Sequence, residues 1–333
     1  MGVTIVIPNY NGIAYLEPCI EALRLQSFQD FSIVVVDNGS TDGSPDWIKK
    51  NFPEIHLICL KENKGFSVAV NIGIKSTKTE FVVLLNTDTI AEPQWLENLV
   101  NDIKADPKVF SCSSKMLQLS NPELIDDAGD EYTLFGFAYQ IGNGLPEKRF
   151  NSRREILSSC AGAAIYRRHV FDSIGYFDES FFAYLEDVDL GYRANLFGYK
   201  NIYCPDARIL HVGSATSGKY SGFKARLSAR NNVLLIKKNM HYLQIVLILP
   251  FLLVGWILMW LSMRRKGVSS SFIKGTLDGF KQAKSIKRYK FKFPLIKNYI
   301  RVQVRLVIGT LGFIRQKYIK LLYNTEHRDI VES

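Results

Sequence analysis

Four short β-branched runs alternate with stretches of helical spacing in the first 110 residues, and nothing else in the chain restricts its fold so tightly. The runs cover residues 3–8, 31–36, 55–60 and 81–85. The helical stretches cover 14–25, 44–51, 65–76 and 93–104, the last with Pro93 at its start. Apolar runs without polar alternation are strands buried on both faces. The pattern therefore predicts an α/β fold: a Rossmann-like, mainly parallel sheet with helices on both faces. In open sheets of this kind ligands bind beyond the C-terminal ends of the strands. Polar segments at residues 9–12, 37–43, 62–65 and 86–89 follow the four runs, more polarity than ordinary loops need.

The rest of the chain divides by composition. Residues 115–160 mix Gly, Asp and aromatics and read as an irregular insertion over the sheet edge. Residues 160–166 are strand-like, 185–197 read as a helix opening on acids, and 201–204 and 207–210 are short extended pieces. Residues 242–263 then carry no charge at all. At about 1.5 Å per residue they reach roughly 33 Å, the depth of a bilayer core. Residues 1–240 are thus expected to form one α/β domain, and 241–333 a hydrophobic and basic membrane-associating region.

Charge follows the same division. Residues 264–333 hold 17 Lys/Arg against 4 Asp/Glu, a net of +13, while residues 1–263 hold 25 against 28, a net of −3. The overall +10 belongs to the tail, so a nucleic-acid partner loses its main support and anionic membrane lipid becomes the simplest partner. The last helix-like stretch, about 297–323, gathers Lys297, Arg301, Arg305, Arg315 and Lys320 on one side and apolar residues on the others, as interfacial helices do. Five scattered cysteines without CxxC spacing argue against a disulfide framework or a zinc site. No secretory leader is expected, since the strand pattern begins at Val3.

The candidate chemistry lies in the acids and in one histidine. Asp37 ends a strand and opens Asp37-Asn38-Gly39-Ser40-Thr41-Asp42-Gly43, which reads either as a ribose or base contact or as a turn with a helix cap. Asp88 follows the fourth run; a hard divalent cation would prefer its oxygens, and a helix cap is the plainer reading. Glu186, Asp187 and Asp189 are crowded behind aromatics, where raised proton affinity suits a general base, though acids in a first helical turn are routine. His211 is a ligand or a hydrogen-bonded structural residue, and Arg226 and Arg230 are phosphate contacts or surface cations.

The order of these pieces resembles the family 2 glycosyltransferases with the GT-A fold, across about residues 3–240. The matching motifs are Ile7-Pro8-Asn9-Tyr10-Asn11-Gly12, Val36-Asp37 through Gly43, Asn63-Lys64-Gly65-Phe66, Asn86-Thr87-Asp88, Gly162-Ala163 and Glu186-Asp187-Val188-Asp189. The resemblance implies that Pro8, Asn9, Tyr10 and Asp37 line the nucleoside pocket, with Asn63, Lys64, Asn86 and Thr87 also on the donor side. It implies that Asp88 and His211 hold Mg²⁺ or Mn²⁺ on the donor diphosphate, that Gly162 and Ala163 meet the acceptor, and that Asp187 is the catalytic base with Glu186 beside it. The family's metal motif is often Asp-x-Asp, whereas Asn86 stands at the first position here.

On that footing the expected reaction is a single inverting displacement from a nucleotide sugar. Nucleotide sugars are cytoplasmic, and a single crossing at 242–263 would put the basic tail outside, against the positive-inside tendency. The expectation is therefore an in-plane or re-entrant segment, broken at Pro250, on the cytoplasmic face of the membrane, with a lipid-linked saccharide as acceptor. The pattern, with Arg230-Asn231 ahead of the hydrophobic segment, further resembles the bacterial rhamnosyltransferase branch, which implies dTDP-rhamnose as donor and cell-surface polysaccharide synthesis. Homo-oligomers are compatible with this reading. Its rivals are another nucleotide-dependent transferase, a dinucleotide enzyme (disfavoured because no G-x-G-x-x-G follows the first run) and a non-catalytic membrane-associated scaffold.

Overall fold

Alternate side chains of the first strands enter two different cores, as strands covered on both faces require. Val3, Ile5 and Ile7 of β1 (Val3–Asn9) pack with Leu16, Ile20 and Leu23 of α1 (Ile13–Arg24), while Val6 turns the other way. β2 (Phe31–Asp37), α2 (Ser44–Asn51), β3 (His56–Cys59), α3 (Phe66–Ser76) and β4 (Phe81–Leu85) continue the winding. The first core adds Trp95 and Leu99 of α4 (Trp95–Ala105), which follows the short β5 (Thr89–Ala91). The second core adds Val70 and Ile74 of α3. Burying each such side chain contributes roughly 1.5–3 kcal/mol, so a charge at Val83, in the middle of β4, would break the domain. The computed structural model describes residues 2–213, 221–289 and 293–331. Lys290 and Lys292 of the basic stretch lie outside them.

β1 is parallel to β2 and β4, and β2 to β3, as the sequence pattern requires. Beyond β4 the sheet becomes mixed. The segment read as irregular supplies β6 (Val109–Gln118), β7 (Asn121–Asp127), a two-stranded ribbon of β8 (Asp130–Tyr132) and β9 (Ala138–Gln140), and β10 (Arg154–Ile156). β11 (Ala163–Arg167) runs antiparallel between β4 and β6. After α5 (Val170–Ile174) and α6 (Glu186–Leu196), the two expected extended pieces form one strand, β12 (Lys200–His211), with a register shift between Cys204 and Arg208. The full order is β3-β2-β1-β4-β11-β6-β12-β10, with β5 on β12 and β7 on β6.

The C-terminal helices pack on this domain. α7 (Gly222–Asn239) is followed by α8 (Tyr242–Arg265), α9 (Ser269–Gln282) and α10 (Ile296–Val331). A third core joins Tyr192 of α6 to Leu234 of α7, Ile248 of α8 and Val302 and Leu306 of α10, so packing is continuous across residue 240. α8 is unbroken: Pro250 lies inside it, removing one backbone donor without ending the helix, which corrects the expected break. Among the described residues α8 is the one helix long and apolar enough to cross a membrane. At Gly255 it meets the Phe135 carbonyl so closely that any side chain would clash.

α10 is turned differently from a lipid-facing basic helix. Arg301 pairs with Glu155 at 2.6 Å, Arg305 with Glu131, and Lys320 donates to the Asn143 carbonyl at 3.1 Å. These three cations thus face the domain, Lys297 and Arg315 stay exposed, and Ile300, Val304, Ile308, Leu311 and Ile314 face outward.

Candidate active site

The parallel register sets Asn9 at the end of β1 beside Asp37 at the end of β2. Asn9 Nδ2 donates to Asp37 Oδ2 and to Ser44 Oγ, each at 2.8 Å, and the Ser40 amide donates to Asp37 Oδ1 at 3.0 Å. Asp37 is therefore buried and bonded through both oxygens, at the floor of the cleft, while Pro8 is partly exposed and Tyr10 is exposed above it. Asn38, which sequence reasoning did not single out, ties this loop to the next. Its Nδ2 donates to Asn63 Oδ1 at 3.0 Å and its Oδ1 accepts from the Lys64 amide at 2.9 Å. Gly39 makes the junction possible: its φ is +79°, and a Cβ there would stand 2.6 Å from the Glu62 backbone. Asn63 and Lys64, the residues expected on the donor side, are thereby held beside the Asp37 loop, with the Lys64 side chain exposed.

The end of β4 meets three other elements. The Asn86 amide donates to the Gly162 carbonyl at 2.8 Å, and Thr89 Oγ1 donates to the Asn86 carbonyl at 2.7 Å. Thr87 and Asp88 are half-buried in the same turn. The pairing of β5 with β12 brings His211 alongside, with Nε2 3.4 Å from Asp88 Oδ2. Two ligands about 2.1 Å from one cation stand roughly 3.0–3.5 Å apart, so these atoms fit a shared divalent ion. His211 Nδ1 lies 2.7 Å from Asp126 Oδ2, an arrangement that fixes the ring of a metal-binding histidine. Burial opposes the charged imidazole, but the hydrogen bonds and charges of Asp126 and Asp88 outweigh it and push His211 up to about 10. The pair thus attracts positive charge strongly.

A second acidic group lies behind this pair. Asp127, Asp130 and Cys160 bring their ligand atoms within 4.8 Å of one another. Burial, then its neighbours' charges, push Asp127 up to about 7 and Asp130 well above the ordinary range. Glu186 is buried with Oε2 unpartnered, and burial together with Asp187 and Asp189 raises it likewise. Asp187 is partly exposed, accepts from the Val188 amide at 2.8 Å and from the Ala161 amide at 3.4 Å, and is also raised by burial. Asp189 does not belong with them. It is fully buried, paired with Arg193 and Lys238 at 2.8 Å each, and held below its ordinary value by those cations despite burial. Gly162 and Ala163, the residues expected on the acceptor side, are both buried where β11 begins, with Gly162 packed against the Asn86 side chain.

The turn before α6 is strained. Phe182, Tyr184 and Leu185 have φ of 64°, 70° and 65°, in the left-handed region that side chains disfavour. Asn231 of α7 holds this turn by donating to the carbonyls of Phe181, Ala183 and Tyr184 at 2.7–2.9 Å. Arg230 donates to the carbonyls of Ser180 and Phe181, and Arg226 pairs with Asp278. Arg230 thus braces the turn, while Arg226 sits in an exposed ion pair.

The family model for glycosyl transferase family 2 matches residues 4–175, just over half of the 333. The chain belongs to the family 2 glycosyltransferases. It is 25% identical over 238 residues to the N-acetylglucosaminyl-diphospho-decaprenol L-rhamnosyltransferase of Mycobacterium tuberculosis (strain ATCC 25618 / H37Rv), covering 65% of this chain and 77% of that one. The mannosyltransferase PcManGT of Pyrobaculum calidifontis, solved with GDP-Man and Mn²⁺, shares the fold at a TM-score of 0.52 and 16% identity, covering 96% of this chain and 87% of that one. GalNAc-T7, solved with UDP, GalNAc and Mn²⁺, does so at 0.58 and 17%, covering 71% of this chain and 48% of that one. The GT-A type fold expected from the sequence is the one observed. In this glycosyltransferase the matched region holds the loops after β1 to β4, Asp88 and Asp126 but stops before Glu186, Asp187 and His211. Asp126, Asp127 and Asp130 escaped sequence reasoning, and the one available signal was the acid spacing in Asp126-Asp127-Ala128-Gly129-Asp130.

Proposed function

We propose that this glycosyltransferase moves a sugar from a nucleotide-diphosphate sugar to a lipid-linked saccharide, with inversion, at the cytoplasmic face of a membrane. One observation carries the reading. The turn at residues 160–162 bonds Asn86 beside the donor-side Asp88 through Gly162, and Asp187 through Ala161, joining the two halves of a displacement site. The acceptor hydroxyl oxygen attacks the anomeric carbon and its proton passes to Asp187. The bond from that carbon to the diphosphate oxygen breaks, and its electron pair leaves with the nucleoside diphosphate. A single displacement with a single base inverts the configuration. Asp187 suits the task because burial raises its affinity for the proton. Asp88 and His211 would hold Mg²⁺ or Mn²⁺, which supplies positive charge to the leaving diphosphate. The solved neighbours that contain Mn²⁺ support a divalent ion.

The acceptor reading draws on the mycobacterial relative, whose name specifies a diphospho-decaprenol carrier and an L-rhamnosyl group. By that likeness the acceptor is a saccharide on a polyprenyl diphosphate, and dTDP-rhamnose is the donor to try first. Association with the membrane is assigned to the exposed apolar faces of α8 and α10, lying in its plane, with the exposed Arg264 and Arg265 toward anionic headgroups.

The test is nucleoside-diphosphate release from a panel of nucleotide sugars, with Mg²⁺ or Mn²⁺ and bacterial lipid extract, by the wild type and Asp187→Asn. Release from one donor that needs both lipid and metal and disappears in the variant is expected. Undiminished release by Asp187→Asn would move the base to Glu186, and nucleotide binding without release from any donor would favour a scaffold.

A further inference from the structure

A cavity of about 260 Å³ lies outside the donor cleft, between α7, α8, the start of α9 and the turn joining β8 to β9. Its walls are mostly apolar. Trp256, Met259 and Met263 of α8 line one side, and Phe135 and Phe137 of the turn line another. α7 leaves the space open because three of the side chains it presents there, Ala225, Ser228 and Ala229, are small. Two features select an occupant. Among the described residues that line the cavity the charged ones are Lys224 and Lys266, so its wall is cationic and an anionic headgroup is favoured. The volume lies under the ~300–1,000 Å³ of a drug-sized site, which suits a single chain segment and not a pair of acyl chains.

Position supplies the remaining argument. Leu185 lines the cavity and is also the left-handed residue directly before Glu186 and Asp187. Lys224 Nζ stands 5.3 Å from the centre of the Tyr184 ring, on the same strained turn. On the other side α8 turns Leu253, Val254, Ile257 and Leu258 outward, continuous along one helix with the residues that line the cavity. A chain anchored by an anionic group near Tyr184 would therefore run along α8 toward its apolar exposed face, while a sugar on that group would lie toward Asp187.

We infer that this cavity seats the first isoprenoid units of a polyprenyl diphosphate, with Lys224 and Lys266 facing the diphosphate. The inference rests on the lipid-linked acceptor reading and assigns a site to it. The probe is farnesyl diphosphate, titrated into the full chain in detergent and followed by tryptophan fluorescence, to which Trp256 in the wall contributes. The wild type is expected to bind it. Ser228→Trp, which fills the cavity, should weaken binding at least tenfold, and Lys224→Gln by about three- to tenfold. Binding of dTDP should be unchanged in both, which also shows that the variants are folded. Should Ser228→Trp misfold, the smaller Ala225→Leu takes its place.

Equal affinity for farnesyl diphosphate in the wild type and the filled variants overturns the assignment. So does competition by inorganic diphosphate as strong as that by farnesyl diphosphate, since the chain would then contribute nothing. Displacement of the probe by phosphatidylglycerol vesicles, lost in Ser228→Trp, would make the cavity a phospholipid site and overturn it too. Absence of dTDP binding and of sugar transfer in the wild type would sink the transferase reading while leaving the farnesyl diphosphate result to stand by itself. Normal transfer without a response to the probe sinks only the cavity.

Discussion

Asp42, in the loop after β2, and the acids around the start of α6 other than Asp189 are treated oppositely by the fold. Asp42 is partly buried, which works against its charge, yet the Ser44 hydroxyl and the amides of Ile13 and Ser44 hold it below the ordinary carboxylate value. Asp37 is likewise met by donors on both oxygens. Around α6 the order is reversed. Asp127, Asp130, Glu186 and Asp187 are raised by burial, and three left-handed residues, Phe182, Tyr184 and Leu185, cluster within four positions. On the proposed reading the first region is a hydrogen-bonded, preorganised seat for the donor. The second holds strain and proton affinity, and it persists because Asn231 and Arg230 brace it from outside. Recognition and chemistry thus make different demands on neighbouring backbone.

The sharpest way to break this contrast is to remove the carboxylate charge at Asp187. Asp187→Asn should lower turnover by about 10²–10⁴-fold, the usual worth of a general base, while nucleoside-diphosphate affinity stays within about twofold. Turnover and binding falling together would mean that the two regions are not functionally separate. A smaller effect is expected at the brace. Asn231→Ala strands three carbonyls and frees the turn, so kcat should fall by up to about 10²-fold with little change in donor KM. A fall in donor KM affinity equal to that in kcat would show that the turn serves binding instead. Below that comes Asp126→Asn, which removes the acceptor fixing the His211 ring. Mn²⁺ affinity, measured by titration calorimetry, should drop by about 10–100-fold, and an unchanged affinity would remove His211 from the proposed ligand set.

The two regions also differ in how readable they were. β1 and β4 are buried on both faces and so appear as unbroken apolar runs, β2 is buried over its last four residues, and the polar segments follow these runs directly. β6 hides because Ser111, Ser113, Ser114 and Lys115 are buried within it; Lys115 is accommodated by Glu147 and Asn151 at 2.7 and 2.6 Å. No local pattern announces partners 32 and 36 residues away. β12 was read as two pieces because Pro205 and Asp206 interrupt it where its register shifts. Asp187 was legible from its motif, but Asn231 was not, since its three carbonyl acceptors lie 47 to 50 residues earlier. The basic face of α10 was visible by spacing. Its inward orientation depended on Glu131 and Glu155, which belong to the segment read as irregular.

The smallest expected effect is one of stability against pH, and it bears on the stored proton affinity directly. Asp127 rises from an ordinary 3.8 to about 7, first through burial and then through the charge of Asp126, so the folded chain holds this proton more tightly than the unfolded chain does. Its stabilising contribution is therefore complete below about pH 4 and is lost as the pH climbs through about 7. Other carboxylates, Asp189 among them, are lowered and act in the opposite sense, so the wild-type curve alone does not isolate Asp127. The difference between wild type and Asp127→Asn does. Asparagine keeps the size and cannot titrate, so between about pH 4 and pH 7 the wild type should lose thermal stability relative to the variant as pH rises. Parallel curves would mean that Asp127 carries no excess proton affinity. The acids around α6 would then be distinguished by backbone strain alone, and Asp130 or Glu186 would have to carry the charge argument in its place.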